Sequence, residues 1–322
     1  MNRIKGTLET RVTPELLRRV TERYCKEHRR RAAARRIASN LDAFVKKTHQ
    51  EILSNDFSVS PGTPRTIGGR GEKVRNIIIP TCRDAIITAA IFESIEKDWY
   101  ARVYQDTYCN RKGYGGTRLF KRLRRFILEK KPKYAIKCDI RKCFDSIRHA
   151  DVLSLLERRI KCKRLRQRIA TVLFIKAGEN ARGLPIGNGL SHHIANAILS
   201  EVYAKARALQ GVTRLIAYMD DFVLLGSNKR KLHAARRKTA ALFALIGLEL
   251  KPNWQLYSIA KEGIDIVGYR IFADGRVRLR RKIFYRARRA KNPLRKASYY
   301  GFAIHARDKA LIKTLSSRKD QL

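Results

Sequence analysis

Arg214-Leu-Ile-Ala-Tyr-Met-Asp-Asp-Phe-Val-Leu-Leu-Gly226 sets two adjacent aspartates, Asp220 and Asp221, between two short apolar runs. Runs of this length and composition around a polar pair predict a hairpin of buried strands. A tight hairpin turn needs positive φ and therefore favours Asn-Gly or Asp-Gly. Here Met219, Asp220 and Asp221 occupy the bend, and no glycine follows until Gly226. Two neighbouring carboxylates beside buried strands repel each other unless one is protonated or a cation joins them. Mg²⁺, which takes hard oxygen ligands, is the natural cation. A solvated acidic turn is the plain alternative.

A third carboxylate belongs to the same argument. Tyr134-Ala-Ile-Lys-Cys-Asp-Ile140 alternates like a half-buried strand and puts Asp139 near its end. A strand-end aspartate and a hairpin pair can converge on two metal ions roughly 4 Å apart, an arrangement that activates a 3′-hydroxyl and stabilises departing pyrophosphate. The alternative is that Asp139 caps the next turn. Asp145, a little further on, suits a cap before the helix expected over 147–160 at least as well as catalysis.

Composition narrows the partner. The 322 residues carry 72 Lys and Arg against 28 Asp and Glu, a formal charge of +44, while 44% of residues are hydrophobic and supply a packed core. Such self-repulsion is relieved by a polyanion, and nucleic acid fits because many phosphates are neutralised together with counterion release. A membrane surface is disfavoured: no long apolar segment or lipidation signal is present, and the cations are not confined to one amphipathic helix. Residues 1–5 lack the apolar stretch of a secretory leader, so the chain is expected to stay in the cytoplasm. The six cysteines show no Cys-x-x-Cys spacing and read as reduced packing residues.

Along the chain, residues 12–54 have helical periodicity between many arginines, a basic extension. The stretch from Ser58 to Gly71, with Pro61, Gly62, Pro64, Gly68 and Gly69, breaks the pattern and predicts a mobile loop or joint. Strands and helices alternate from Lys73 to about Phe272, and a second basic, helical module follows Gly275.

Tyr218-Met-Asp-Asp221 is identical to the YMDD box of reverse transcriptases, and Asp139 to Asp145 resembles their first catalytic motif. Lys73-Val-Arg75, with Ile79-Pro80 and Asp84, resembles the finger segment that grips the incoming triphosphate, and Arg111 and Gly113 resemble the next motif. Gly183-Leu-Pro-Ile-Gly-Asn-Gly-Leu-Ser-His-His-Ile-Ala-Asn196 resembles the glycine loop and helix that support nucleotide and template. Gly263-Ile-Asp-Ile-Val-Gly-Tyr-Arg270 resembles the primer grip, in which Gly268, Tyr269 and Arg270 are the matching positions.

The resemblance implies an α+β right-hand polymerase fold of fingers, antiparallel palm and helical thumb. The expected division is an N-terminal extension over 1–60, fingers and palm over 61–272, and a thumb over 273–322. It implies Asp139, Asp220 and Asp221 as catalytic ligands of two Mg²⁺ ions, with Mn²⁺ as a substitute and Asp220 the stronger ligand of the adjacent pair. Lys73, Arg75, Phe144, Ile186 and Gly187 would meet the dNTP, Phe144 as the wall against a ribose 2′-hydroxyl. Tyr218, Met219, Ser191 and Asn196 would support the motifs. For Lys73 and Arg75 ordinary surface charge is the alternative, and for Phe144 and Ile186 ordinary packing.

Three details resemble the diversity-generating retroelement branch: Ile186 where most reverse transcriptases have Gln, Leu250-Lys-Pro-Asn-Trp-Gln255, and Ser298-Tyr-Tyr-Gly-Phe302. Ser191-His192 departs from that branch's Ser-Gln. The branch implies error-prone cDNA copied from a template-repeat RNA. Its implied partners are a structured non-coding RNA, a primer strand, dNTPs and a small basic pentameric accessory protein. Tyr285, Tyr299, Tyr300 and Phe302 are available for packing or stacking, with Phe302 expected in the thumb core. Two other readings stay open: a retron, intron or antiviral-defence reverse transcriptase, and an inert basic RNA-binding assembly protein.

Overall fold

The computed structural model describes residues 3–69, 72–176, 178 and 181–316. Four helices open the chain: α1 (Leu8–Arg11), α2 (Pro14–Glu27), α3 (Ala32–Ser39) and α4 (Leu41–Leu53). Helix α2 begins where its sequence says it should, with Thr13 accepting the Leu16 N–H at 3.2 Å and Pro14 at the first helical position. Its apolar stripe, Leu16, Leu17 and Val20, is buried.

The Pro- and Gly-rich stretch expected to be a loop instead enters a strand. β1 (Thr63–Gly69) pairs antiparallel with β2 (Glu72–Ile79), in register from Thr63 opposite Ile79 to Ile67 opposite Arg75. Thr63, Thr66 and Ile67 favour extended backbone, and Pro64 is tolerated because β1 is an edge strand of a two-stranded ribbon. Helices α5 (Cys82–Glu93), α6 (Glu96–Tyr100) and α7 (Gly116–Lys130) follow, then β3 (Tyr134–Asp139). After it come α8 (Cys143–Ser146), α9 (His149–Arg159), α10 (Lys163–Val172) and α11 (Gly189–Arg207). The hairpin is β4 (Arg214–Tyr218) and β5 (Asp221–Gly226), succeeded by α12 (Lys229–Leu245). Four short strands, β6 (Gln255–Ser258), β7 (Ile264–Ile266), β8 (Tyr269–Ile271) and β9 (Val277–Leu279), precede α13 (Arg281–Arg288), α14 (Pro293–Ala306) and α15 (Lys309–Ser316). The basic C-terminal module is therefore helical from Arg281, with a strand before it.

The chain forms two compact units, each discontinuous in sequence. One comprises Met1–Gln105, Arg141–Val202 and Phe243–Glu249, the other Asp106–Ile140, Tyr203–Leu242 and Leu250–Leu322. In the first, α2 packs on α4 and α5, and α10 on α5 and α9.

In the second unit an antiparallel sheet runs in the order β4-β5-β3-β6. Helix α7 covers one face because Leu119, Phe120, Leu123, Phe126 and Ile127 recur on one side of it and are buried against Ala135, Ile216, Val223 and Leu225. Burying each such Leu or Phe is worth about 1.5–3 kcal/mol. The β7-β8-β9 sheet feeds Ile264, Ile266, Tyr269 and Ile271 into the same core. β4 is an edge strand, and Asp106–Tyr108 closes it: the Ala217 N–H donates to the Asp106 carbonyl at 2.9 Å, and the Tyr108 N–H to the Ala217 carbonyl at 3.0 Å. The buried Asp106 carboxylate pairs with Arg214 at 2.8 Å and Arg122 at 3.2 Å and accepts the Tyr108 hydroxyl at 2.9 Å. Among the described residues no disulfide joins any of the six cysteines, and no helix is long and apolar enough to cross a membrane.

Candidate active site

Met219 and Asp220 are the two residues between β4 and β5, and Met219 takes the positive φ, +59°, that a hairpin turn demands. A non-glycine residue there carries strain of order 1–2 kcal/mol. The surroundings hold it in place. Fully buried Tyr203 donates its hydroxyl to the Met219 carbonyl at 2.7 Å, and the Ile140 N–H donates to the Asp220 carbonyl at 3.2 Å. Both turn carbonyls are thus tied to neighbouring elements of the same unit.

The register puts Asp139 directly opposite Asp221 across the β3–β5 pair. Like charges facing each other across strands are destabilising, so this placement runs against the stability of the sheet. Burial, Asp139 and Asp220 together hold the Asp221 carboxyl above its ordinary range, with Lys137 acting against them. Two lysines offset the charge. Lys137 lies two residues before Asp139 on the same face of β3, and its Nζ is 3.6 Å from Asp221 Oδ2. Lys251 Nζ forms an ion pair with Asp139 Oδ1, and the Lys251 N–H donates to the Asp139 carbonyl at 2.8 Å. The Asp139 and Asp221 side chains stay 31% and 38% exposed, open to a ligand.

These features fit a divalent cation: hard oxygens and like charges set opposite each other on partly exposed side chains. Among the described residues no three His, Cys, Asp or Glu side chains close around one point as a complete metal-holding group. Asp139 and Asp221 face each other in register, and Asp220 adjoins them in the turn, near enough to raise the Asp221 carboxyl. Mg²⁺ characteristically takes one or two carboxylates and completes its shell with water and substrate phosphates. Tyr218 pairs with Asp221 across the hairpin, and its phenol is pushed up by burial and by Cys109 beside it, so it is neutral.

The remaining nucleotide-binding candidates lie in the first unit, where three segments are joined. The Ile78 N–H on β2 donates to the Ile186 carbonyl at 2.7 Å. Leu184 N–H donates to the Phe144 carbonyl and Gly183 N–H to the Ile147 carbonyl, each at 2.9 Å. The ring of buried His149 bridges the Gly183 carbonyl, through Nε2 at 2.8 Å, and the Lys176 N–H, received at Nδ1 at 2.9 Å. Arg75 is exposed on β2; Lys73 is on the same strand, its side chain outside the described residues. Phe144 meets the ring of His192 edge-on at 5.1 Å, so the residue that departs from the Ser-Gln pattern touches the expected sugar wall. Burial keeps His192 below the ordinary imidazole range and hence neutral. Ser191 is buried and donates to the Pro185 carbonyl at 2.8 Å, and Asn196 is buried on α11.

Elsewhere the candidates divide into scaffold and surface. Tyr269 is buried against Phe120 and Phe302, its phenol pushed up to about 12 by burial, while Arg270 is exposed. A Cβ on Gly268, at φ +92°, would stand 2.5 Å from Ile283 Cδ1. Phe302, expected in the thumb core, packs instead on the sheet-and-α7 core beside Tyr269, while Tyr299 and Tyr300 pack on the C-terminal helical cluster of Ala287, Ala303, Leu311 and Leu315. Asp145 lies within α8 and does not cap α9, whose N-cap is Arg148. Sequence reasoning missed Lys137, Lys251, Tyr203 and His149; of these, only Lys137 carried a local signal, its two-residue offset from Asp139.

Gly187 is the position where backbone geometry decides the first-unit junction. At φ +106°, its Cβ would lie 2.3 Å from the Ile78 carbonyl oxygen. Gly187→Ala is therefore expected to cost more than about 1 kcal/mol and to separate β2 from the loop. Hydrogen exchange read at the Ile78 amide checks this, and undiminished protection in the variant would contradict it.

The sequence model of the family described as reverse transcriptase (RNA-dependent DNA polymerase) matches residues 67–271. Curated protein sequences give no match. Among solved structures, telomerase from Candida tropicalis truncated from its C-terminal domain is 16% identical with a TM-score of 0.52, covering 69% of this chain and 56% of that one. The Candida tropicalis telomerase in complex with a TWJ fragment of telomeric RNA is 14% identical with a TM-score of 0.56, covering 80% and 53%. This chain thus spans little more than half the length of those structures, and at such identities the likeness is one of fold. With an α+β fold of that type and a family match over more than half of its length, the chain belongs to the reverse transcriptase family of RNA-dependent DNA polymerases, which are nucleotidyltransferases.

Proposed function

We propose that the chain is an RNA-directed DNA polymerase that copies a template-repeat RNA into error-prone cDNA within a diversity-generating retroelement. The observation that carries the polymerase reading is Asp139 set against Asp221, beside the strained turn bearing Asp220. No requirement of the sheet explains that opposition, and divalent-ion chemistry does. When bound, a pair of Mg²⁺ ions, or Mn²⁺ in their place, supplies Lewis-acid activation of a primer 3′-hydroxyl and stabilises departing pyrophosphate.

The chain's own residues do the rest. Asp139, Asp221 and Asp220 provide the carboxylate oxygens. Lys137 and Lys251 pair with Asp221 and Asp139 and offset their charge. Lys73 and Arg75 offset triphosphate charge, and Phe144, backed by His192, excludes a ribose 2′-hydroxyl. Asp220→Asn is expected to lower Mg²⁺-dependent dNTP incorporation on a primed RNA roughly 10³-fold, several kcal/mol of transition-state stabilisation, with RNA binding retained. Full incorporation by that variant would remove Asp220 from the catalytic centre, whereas a wild-type chain that incorporates no dNTP would turn the reading toward an inert assembly protein.

The retroelement assignment is supported by Ile186, Leu250-Lys-Pro-Asn-Trp-Gln255 and Ser298-Tyr-Tyr-Gly-Phe302. Ile186 gives its carbonyl to Ile78 and has no side-chain donor with which to probe a nascent pair, so selection rests on shape. A small basic accessory protein would be repelled by a chain of charge +44, so a structured RNA must bridge the two. Restoring one hydrogen bond with Ile186→Gln is expected to reduce misincorporation at template adenines by about 2- to 10-fold, read by sequencing cDNA from both enzymes. An unchanged error spectrum would remove Ile186 from fidelity.

A further inference from the structure

Two concave surfaces flank helix α7 on its solvent side, within the second unit. One, of about 750 Å³, lies between α7, the Asp274–Val277 turn and the end of α14, and includes Lys121, Arg125, Leu128, Arg276, Ile304 and Arg307. The other, of about 500 Å³, adds Arg118, Arg122 and Arg214 along the opposite flank. Lys121, Arg125 and Glu129 border both, so the two adjoin as one groove along a ridge of α7 that carries two cations and one acid. Five Lys or Arg residues line the first cavity and three more the second, against Glu129 and Asp274 as the acids among the described residues. Arg125 meets Glu129, Arg276 meets Asp274, and Arg122 and Arg214 share Asp106, so eight cations face three acids among the described residues and a positive excess remains.

The groove is away from the carboxylates. Phe126 lies under Arg214, and Arg214 begins β4, four residues and about 13 Å from Tyr218, the partner of Asp221. Likewise α7 ends at Lys130, just before Tyr134 begins β3, about 17 Å along the strand from Asp139. The helix aromatics, Phe120 and Phe126, are 4% and 7% exposed, so α7 offers no ring for base stacking, and the half-buried His305 is the one ring at the edge of the groove among the described lining residues. Cations without stacking platforms suit a phosphate backbone and not splayed single-stranded bases.

We infer that the α7 groove is a second RNA-binding surface, which holds the phosphate backbone of folded, double-helical RNA apart from the polymerising centre. The inference rests on the reading that this enzyme takes an RNA template, and it assigns the structured part of that RNA to α7. A tether of this kind keeps a template on the enzyme while the copied strand moves.

The test uses the full chain and a blunt RNA hairpin with no recessed 3′ end, its affinity measured from 50 to 200 mM salt. Lys121→Gln/Arg125→Gln/Arg307→Gln changes three exposed residues and is expected to weaken hairpin binding at least tenfold. The salt slope should fall by about 2–3, near 0.9 for each duplex phosphate that the variant no longer neutralises. Extension of a short primed template should be unchanged. Arg36→Gln/Lys46→Gln/Lys47→Gln, three exposed cations on α3 and α4, is the control and should lose far less. Equal loss in the control would reduce the effect to net charge and overturn the inference, as would unchanged hairpin affinity or a matching loss of short-template extension. Binding of polyglutamate that disappears in the first triple variant while hairpin binding persists would give the surface to an acidic protein and also overturn it. Wild-type chain that binds the hairpin through α7 but extends no primer would sink the polymerase reading and uphold this one.

Discussion

The electrostatic opposition of Asp139 and Asp221 across β3 and β5 is the constraint around which the second unit is arranged. A sheet selected only for stability would place opposite charges or apolar residues at that pair. Keeping two acids there has visible consequences. Lys137 and Lys251 stand against them, Met219 accepts an unfavourable φ to bring Asp220 alongside, and a buried tyrosine hydroxyl holds the turn. Each of these groups has a local cost, and together they keep negative charge concentrated in a chain of net charge +44.

That concentration gives the two kinds of surface different work. Basic residues spread over helices such as α7 attract polyphosphate without regard to sequence, and the attraction weakens with salt. The carboxylates do the reverse, repelling phosphate unless divalent cations intervene. A nucleic acid would therefore be drawn to the protein broadly and admitted to the acidic patch only in the company of metal, a division between holding and chemistry that suits a polymerase. In the first unit, hydrogen bonds among β2, the Phe144 segment and the glycine loop join the nucleotide-binding candidates into one assembly, with Gly187 and His149 as its fasteners.

Much of this was legible in the sequence. Alternating apolar residues around Asp139 and the apolar runs flanking Asp220 and Asp221 specify β3, β4 and β5, because burial on a pleated sheet fixes both period and register. The apolar stripe of α2 and its Thr13-Pro14 start are equally plain. β1 was hidden: proline and glycine suggested a loop, whereas pairing with β2 supplies hydrogen bonds that local propensity cannot report. Tyr269 matches a grip motif yet is buried core, since a motif records identity and not which way a residue of an alternating strand faces. Lys251 and His149 act on residues far away in the chain, through contacts that exist only once the fold is made. The two compact units interleave in sequence for the same reason and follow no compositional boundary.

The account stands on the acidic pair collecting a divalent ion. Its most direct test is Mn²⁺ binding followed by electron paramagnetic resonance, with dNTP and primed RNA present, in the wild type and in Asp139→Asn and Asp221→Asn. The account predicts bound Mn²⁺ in the wild type and its loss in both variants with the fold intact. Equal Mn²⁺ occupancy in all three proteins would contradict it.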